Sequence, residues 1–174
     1  MYGPKHYTET DREKILEFIA THPFATLIVN DKERSYATQI PVMLDERDNT
    51  LYLQGHVSRH TDHYPILADS TEVLLMFTGA HCYVSAGWYA ERGQASTWNY
   101  MTVQARGSIH LFDEHESLEL LKELTHYYED GQDHPELLEN MPEEYVAANV
   151  KAIAGFEITV TSLDATFKLS QNRT

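Results

Sequence analysis

The chain is poor in the features that mark secreted, disulfide-bonded and membrane-spanning proteins. Cys82 is the only cysteine among 174 residues, so an intramolecular disulfide is impossible and a cytoplasmic location is expected. The longest apolar runs are a few residues, such as 73–77, whereas a membrane-spanning helix needs about 20 residues. The first seven residues include no apolar segment, so no signal peptide is expected there.

Basic residues are also scarce, with 13 lysines and arginines against 27 acids and a net charge of −14. Twelve of the acids and a single base, Lys122, fall within residues 113–144. Because DNA affinity depends largely on contacts with phosphates, direct DNA binding is not expected. The acidic segment is interpreted as a solvated helical face, and the alternative is a docking surface for a basic partner.

Familiar catalytic motifs are missing. The sequence has no GxGxxG, GxxxxGK[ST], GxSxG or CxxC pattern. His56, His60 and His63 are spaced i, i+4 and i+7, which would place them on one face of a helix. No HExxH pattern accompanies them, so no metal ligand is assigned. Three interpretations of these histidines stay open: a metal site, a surface cluster, or a ligand contact by His56. Cys82 lies in a predicted strand and is interpreted as a buried apolar side chain rather than a nucleophile.

Hydrophobic periodicity predicts an α+β domain. The predicted strands are residues 24–30, 35–44, 50–55, 71–78, 83–86, 98–112 and 155–163. The predicted helices begin at a capping box over 10–13, within 58–69, at 113 and at 142. Six or seven strands with helices at the edges predict an antiparallel, barrel-like sheet in one domain spanning residues 1–174. Because strands and helices do not alternate, a doubly wound parallel sheet is not expected.

Three local features refine this prediction. Residues 24–55 are expected to form a β-meander, and Gly107 is a candidate bulge within the long strand. The helix after Asp113 begins with a capping box that includes Glu116. Its predicted apolar stripe is Leu118, Leu121, Leu124 and Tyr128.

The most informative stretch is rich in aromatic side chains. Residues 83–100 hold both tryptophans, Trp88 and Trp98, together with Tyr83, Tyr89 and Tyr100. Small and hydroxyl residues are interleaved with them, among them Ser85, Gly87, Ser96, Thr97 and Asn99. Aromatic walls beside small polar donors suit a flat ligand that is rich in heteroatoms.

Two further segments carry groups that recognise anions. Ser58 and Arg59 follow a predicted strand, where a hydroxyl and a guanidinium could cradle a phosphate; a solvated turn is the alternative. Residues 167–173 contain Lys168 and Arg173 together with two amides and a hydroxyl. This segment is interpreted either as a frayed terminus or as a tail that folds back toward an anionic ligand.

These residues resemble the PaiB family of FMN-binding negative transcriptional regulators, which have a split β-barrel related to pyridoxamine-phosphate oxidases. The most specific matching motifs are TWNY at 97–100 and KLSQNR at 168–173. The other matching segments are 1–7, 22–27, 39–44, 55–59, 83–85, 88–89 and 153–158. The resemblance therefore extends over nearly the whole chain.

The resemblance implies a homodimer with FMN, or a similar flat anionic ligand, at each end of the subunit interface. It implies that Ser58 and Arg59 hold the phosphate and that backbone groups of residues 38–41 meet the isoalloxazine edge. Residues 98–100 and 168–173 would close the site. The full set of cofactor-binding candidates is Thr38, Gln39, Ile40, Pro41, His56, Ser58, Arg59, Tyr83, Ser85, Trp88, Thr97, Trp98, Asn99, Lys168, Gln171 and Arg173.

No catalytic residue is assigned, because a flavin would itself supply the hydride chemistry. The expected function is FMN binding with flavin-dependent redox activity or flavin sensing; an enzyme of this kind would be an FMN-dependent oxidoreductase. One alternative is a regulator that acts through protein partners without flavin turnover. The other is a haem-handling split barrel, which the ten histidines suggest.

Overall fold

The structure is a computed structural model that describes residues 3–172. Within that range it has eight strands, four α-helices and two short 3-10 turns. The strands are β1 (Thr8–Glu9), β2 (Phe24–Asn30), β3 (Ser35–Pro41), β4 (Met43–Arg47), β5 (Thr50–Ser58), β6 (Val73–Val84), β7 (Thr97–Leu111) and β8 (Ile153–Lys168). The helices are α1 (Arg12–Thr21), α2 (His63–Asp69), α3 (Glu114–Glu129) and α4 (Glu143–Ala152). None of these helices is both long and apolar enough to cross a membrane.

The strands form one antiparallel sheet in the order β3-β2-β6-β7-β8-β5-β4, and β1 pairs with the end of β8. Alternate side chains of the strands fill a common core, in which Leu27, Leu53, Leu75, Phe77 and Phe156 are fully buried. The sheet curls so that β3 comes against β5 without pairing with it. The predicted α+β class with an antiparallel, barrel-like sheet is confirmed.

The predicted strand 35–44 is wrong, because it is two strands. β3 ends at Pro41, which has no amide hydrogen to continue a ladder, and the Val42 amide donates to the Pro23 carbonyl at 2.9 Å. After this corner, β4 pairs with β5 through a tight turn in which Asp48 and Asn49 both have positive φ.

The predicted β-meander is therefore wrong as well. β3 and β4 lie at opposite ends of the strand order, so the consecutive strands of 24–55 are not all neighbours. The corner at Pro41 instead carries the chain across the opening between the two sheet edges.

Two strand irregularities bend the sheet. The predicted strands 71–78 and 83–86 are one strand, β6, whose register shifts between Thr78 and His81. The bulge predicted at Gly107 is confirmed by a register shift next to Arg106. A Cβ on Gly107 would lie 2.2 Å from the Thr159 carbonyl oxygen, so only glycine allows β7 and β8 to approach there.

The starts of α1, α3 and α4 were predicted to within one residue, and α2 lies within the predicted range 58–69. The side chain of Asp11, rather than Thr10, accepts the capping bond from the Glu13 amide at 3.1 Å. The capping box of Asp113 and Glu116 is confirmed.

The predicted apolar stripe of α3 holds only in part, because Leu118, Leu121 and Leu124 are half-buried but none is fully buried. Ser117 and Leu120 are its buried residues, and Tyr128 is 39% exposed. Ser117 and Leu120 pack on Gly155 of β8, where a Cβ would lie 2.9 Å from Ser117 Oγ. Ser117 Oγ accepts a hydrogen bond from the Gly155 amide at 3.2 Å. Because serine is polar, apolar periodicity does not identify it as a buried residue of the helix.

Candidate functional site

The first group of predicted site residues surrounds the opening between β3 and β5, which we call the seam. β3 ends the strand order, so its outer edge pairs with no strand among the described residues. The seam is narrow at Gly55, where a Cβ would lie 3.0 Å from the Pro41 carbonyl oxygen. Backbone N–H and C=O groups on such an edge are available to a ligand.

Side chains of β3 alternate between the two faces of the sheet. Thr38 pairs in register with Leu27 and faces inward, as does the buried Ile40. The Thr38 hydroxyl lies 2.6 Å from Nδ1 of His63, which is the first residue of α2. Gln39 points to the outer face, so the predicted segment 38–41 does not present its side chains to a single surface.

Ser58 and Arg59 lie at the end of β5, beside the same seam. The Ser58 hydroxyl oxygen is exposed and accepts a hydrogen bond from the His60 amide at 3.2 Å. The Arg59 guanidinium donates through Nε to the Ile153 carbonyl at 2.5 Å and through a terminal nitrogen to the Tyr64 hydroxyl. These bonds hold the guanidinium in place and leave its second terminal nitrogen for a ligand.

His56 differs from its neighbours, because it points to the outer face of the sheet. Its register partner is Gly155, which lies under α3. Its Nδ1 is buried without a hydrogen-bond partner among the described residues, and burial lowers the pKa of His56. Histidines 56, 60 and 63 do not converge, and residues 3–172 contain no group of three His, Cys, Asp or Glu side chains that could hold a metal.

The second group of predicted residues is aromatic and lies where β6 ends and β7 begins. Trp88 is 73% exposed, Trp98 53% and Tyr83 49%. The rings of Tyr83 and Trp98 meet edge to face at 5.9 Å. Ser85 caps the short 3-10 turn that carries Trp88 by accepting from the Gly87 amide at 3.1 Å.

Cys82 belongs to this exposed end of β6. It is exposed, so the prediction of a buried side chain is wrong. The reason is that β6 runs beyond the closely packed part of the sheet after its irregularity, and residues 80–83 are all exposed.

The C-terminal residues fold back onto the second group. Lys168 Nζ donates to Thr97 Oγ1 at 2.5 Å, and Ser170 Oγ donates to Asn99 Oδ1 at 2.8 Å. Gln171 Nε2 donates to the His6 carbonyl at 2.9 Å. Of the two interpretations of this segment, the folded-back arrangement holds for residues 168–172; Arg173 lies outside the described residues.

The two groups lie at opposite ends of β8. Ser58 pairs with Ile153, the first residue of that 16-residue strand, and Tyr100 pairs with Lys168, the last. Within one chain, Ser58 and Arg59 therefore lie far from the aromatic group.

Sequence reasoning missed Tyr64, which holds Arg59, and the residues that surround the predicted Gln39. Gln39 lines a cavity of about 450 Å³ on the outer face of the sheet, beside Phe24, which is 61% exposed. The other lining residues are Thr21, His22, Pro23, Thr26, Met76 and Thr78. The outward position of Phe24 follows from strand alternation in β2. No sequence signal indicates the hydrogen bond between Arg59 and the Tyr64 hydroxyl.

The seam has the donors that a flat, anionic cofactor requires. The Ser58 hydroxyl and the Arg59 guanidinium suit a phosphate, and the free edge of β3 suits the polar rim of a heteroaromatic ring. The carboxylate of Asp62 nearby is paired with Arg34 at 3.0 Å, so it opposes an anion less than a free carboxylate would. These residues fit FMN.

Solved structures of low sequence identity share this fold. The flavocytochrome Anf3 from Azotobacter vinelandii has a TM-score of 0.70 at 15% identity, covering 94% of this chain and 70% of that one. A Listeria innocua protein described as "Putative Pyridoxamine 5'-phosphate oxidase" has a TM-score of 0.50 at 13% identity, covering 88% of this chain and 95% of that one. The predicted split β-barrel is confirmed.

Sequence comparisons identify the family. A protein of Bacillus subtilis (strain 168) described as "Protease synthase and sporulation protein PAI 2" is 32% identical over 173 residues, which cover 99% of this chain and 83% of the relative. The family model described as "Putative FMN-binding domain" matches residues 1–162. The chain therefore belongs to that FMN-binding domain family and is similar to PaiB, as its TWNY and KLSQNR motifs indicated.

Proposed function

We propose that this protein binds FMN at the seam and uses the bound flavin in redox chemistry or in flavin sensing. The observation that carries the proposal is the unpaired edge of β3 beside Ser58 and Arg59. The phosphate would lie against these two side chains, and the isoalloxazine edge would meet backbone groups of residues 38–41. Family membership supports FMN as the cofactor.

We also propose that the working unit is a homodimer. The aromatic group of one subunit, centred on Trp98, would cover the seam of the other, because the two groups are too far apart along β8 to meet within one chain. Exposed tryptophan and tyrosine side chains are common anchors of protein interfaces. Candidate residues of both groups would then form a site shared between two subunits.

Bound FMN would supply electron and hydride transfer, and the protein would supply binding and orientation. Arg59, held by Ile153 and Tyr64, would fix the phosphate end, and the partner aromatic group would limit access of water.

Regulation would run through a protein partner, because a net charge of −14 disfavours contacts with DNA phosphates. The sporulation-related name of the Bacillus relative supports a regulatory outcome. A single, exposed cysteine is in keeping with the cytoplasmic location that we propose.

The test compares FMN with riboflavin, which lacks the phosphate. We expect wild-type protein to bind FMN about 10- to 100-fold more tightly than riboflavin in fluorescence titrations, since charge-assisted hydrogen bonds to the phosphate are worth about 1.5–3 kcal/mol. Ser58→Ala and Arg59→Gln should weaken FMN binding and leave riboflavin binding nearly unchanged.

Lys32→Met is the charge-matched control, because Lys32 lies exposed in the turn between β2 and β3. Equal losses of affinity for FMN and riboflavin in the Ser58 and Arg59 variants would mean that the phosphate binds elsewhere. A protein that binds neither flavin but develops a Soret band with haem, lost in His56→Ala, would favour the haem-handling alternative.

A further inference from the structure

One cavity of the described structure lies away from the seam and the aromatic group. It is a groove of about 560 Å³ between α3 and the β4–β5 hairpin, which we call the α3 groove. Its lining residues are Met43, Leu44, Asp45, Gln54, Glu119, Lys122, Glu123, His126, Tyr127 and Asp130. We propose that the α3 groove is a docking surface for a basic, amphipathic segment of a partner protein.

The groove is acidic, and its own cations are already paired. Lys122 Nζ lies 2.6 Å from Glu119 Oε1. His126 lies between Asp130 at 2.9 Å and Glu139 at 3.1 Å, which raise the pKa of its imidazole.

Of the other two lining carboxylates, one is paired and one is not. That of Asp45 lies 2.8 Å from Arg47 Nε. That of Glu123 is exposed and has no ion pair or hydrogen bond among the described residues. A lysine or arginine from a partner would therefore meet an available carboxylate in this groove.

Apolar and aromatic side chains also line the groove and would contact the apolar face of the partner segment. Met43 and Leu44 form part of the floor, and the Tyr127 ring is 56% exposed at the rim. Tyr127 meets Tyr128 edge to face at 4.9 Å, and Tyr128 is 39% exposed. An exposed tyrosine pair beside an apolar floor is typical of the anchors of protein interfaces.

The extent of the charge favours a protein segment over a small cation. The 16 residues of α3 extend about 24 Å, and the acids Glu119, Glu123 and Asp130 line the groove along this helix. A small amine would contact one or two of these carboxylates, whereas a basic helix or strand would contact several while burying apolar side chains against Tyr127. Charge complementarity thus selects a lysine- or arginine-rich partner.

The inference is independent of the proposed cofactor, because no candidate flavin residue lines the α3 groove. The proposal that FMN binds at the seam and the proposal that a partner docks in the α3 groove can therefore be tested separately. A partner bound here would provide the protein-mediated route that a regulator without DNA contacts requires.

The experiment uses the full chain and a fluorescein-labelled helical peptide of about 16 residues, the length of α3, with lysines on one face and leucines on the other. We expect fluorescence anisotropy to show binding that weakens by about tenfold or more in Glu123→Lys and in Tyr127→Ala. Peptide-induced NMR shifts should map to residues 43–45 and 119–130.

Glu17→Lys is the matched control, because Glu17 is an exposed acid of α1 without an ion pair in the described structure. It should leave peptide affinity within about twofold of wild type. Equal weakening by Glu17→Lys, or shifts outside the α3 groove, would overturn the proposal, since binding would then follow net charge alone. It would also be overturned if 1,5-diaminopentane bound as tightly as the peptide.

Discussion

At the scale of single residues, the seam depends on side chains whose polar groups are satisfied by distant partners. His63 is 2% exposed, and its Nδ1 lies 2.6 Å from the Thr38 hydroxyl. Its Nε2 is buried without a partner among the described residues. The imidazole thus links α2 to β3, and its Nε2 has no hydrogen-bond acceptor for a second proton among the described residues.

We predict that His63 makes the protein less stable at acid pH. Burial lowers its pKa from the ordinary value of 6.5, although the Asp62 charge partly opposes this. The unfolded chain gains a proton as the pH falls below about 6.5, while folded His63 stays neutral until its lower pKa is passed. Stability is therefore full above pH 6.5 and declines below it, by at most about 1.4 kcal/mol per pH unit for one proton.

Urea unfolding of wild type and His63→Gln from pH 8 to pH 5 measures this effect. The variant should lose stability less steeply between pH 6.5 and pH 5, whatever its stability at pH 8. His60→Gln is the control, because His60 is exposed and three residues away. An unchanged slope in His63→Gln would show that other groups cause the acid sensitivity.

At the scale of secondary-structure elements, irregular positions set the curl of the sheet. β7 and β8 pair along most of their length, and their register shifts at Gly107. Bulges of this kind increase local twist and allow a sheet to close on itself. The bend at Gly107 is one of the irregularities that accompany the curl by which β3 comes to lie opposite β5 across the seam.

Gly107→Ala is predicted to destabilise the protein by about 3 kcal/mol or more, because overpacking against a fixed backbone allows little relaxation. The added Cβ would lie 2.2 Å from the Thr159 carbonyl oxygen and 2.8 Å from Ile158 Cγ2. Denaturant unfolding monitored by tryptophan fluorescence gives the free energy of unfolding.

Gly131→Ala provides the comparison, because a Cβ there meets no atom within 4 Å. We expect it to change stability by no more than about 0.5 kcal/mol. Similar stabilities of the two variants would mean that the bulge at Gly107 relaxes without cost.

At the scale of the whole molecule, the described subunit exposes an aromatic surface that its own fold does not cover. Trp88, Trp98 and Tyr83 are each about half exposed or more. The proposed dimer would bury this surface and join it to the seam of the partner. Oligomeric state and cofactor binding should then change together.

We predict that Trp98→Glu shifts the protein from dimer to monomer in sedimentation equilibrium, since it places a charge in an apolar interface. FMN affinity should fall in the same variant. Tyr145→Glu is the control, because Tyr145 is 58% exposed on α4, outside the aromatic group. A Trp98→Glu protein that remains dimeric would place the interface on another surface.

The sequence by itself determined the features that depend on near neighbours along the chain. Alternation of Phe156, Ile158 and Val160 marked β8, and side-chain capping marked the start of α3 at Asp113, because strand alternation and caps involve residues only a few positions apart. Gly107 could be predicted as a bulge, since an isolated glycine in a strand has few other structural roles. The TWNY and KLSQNR motifs by themselves indicated the family.

Only the tertiary structure decided which of these features meet. It separated β3 from β4 at the Pro41 corner, turned His56 away from the seam and buried Ser117 against Gly155. It also divided the predicted site between the two ends of β8. The physical reason is that strand order and curl arise from pairing between residues far apart in the chain, which no local pattern of polarity specifies.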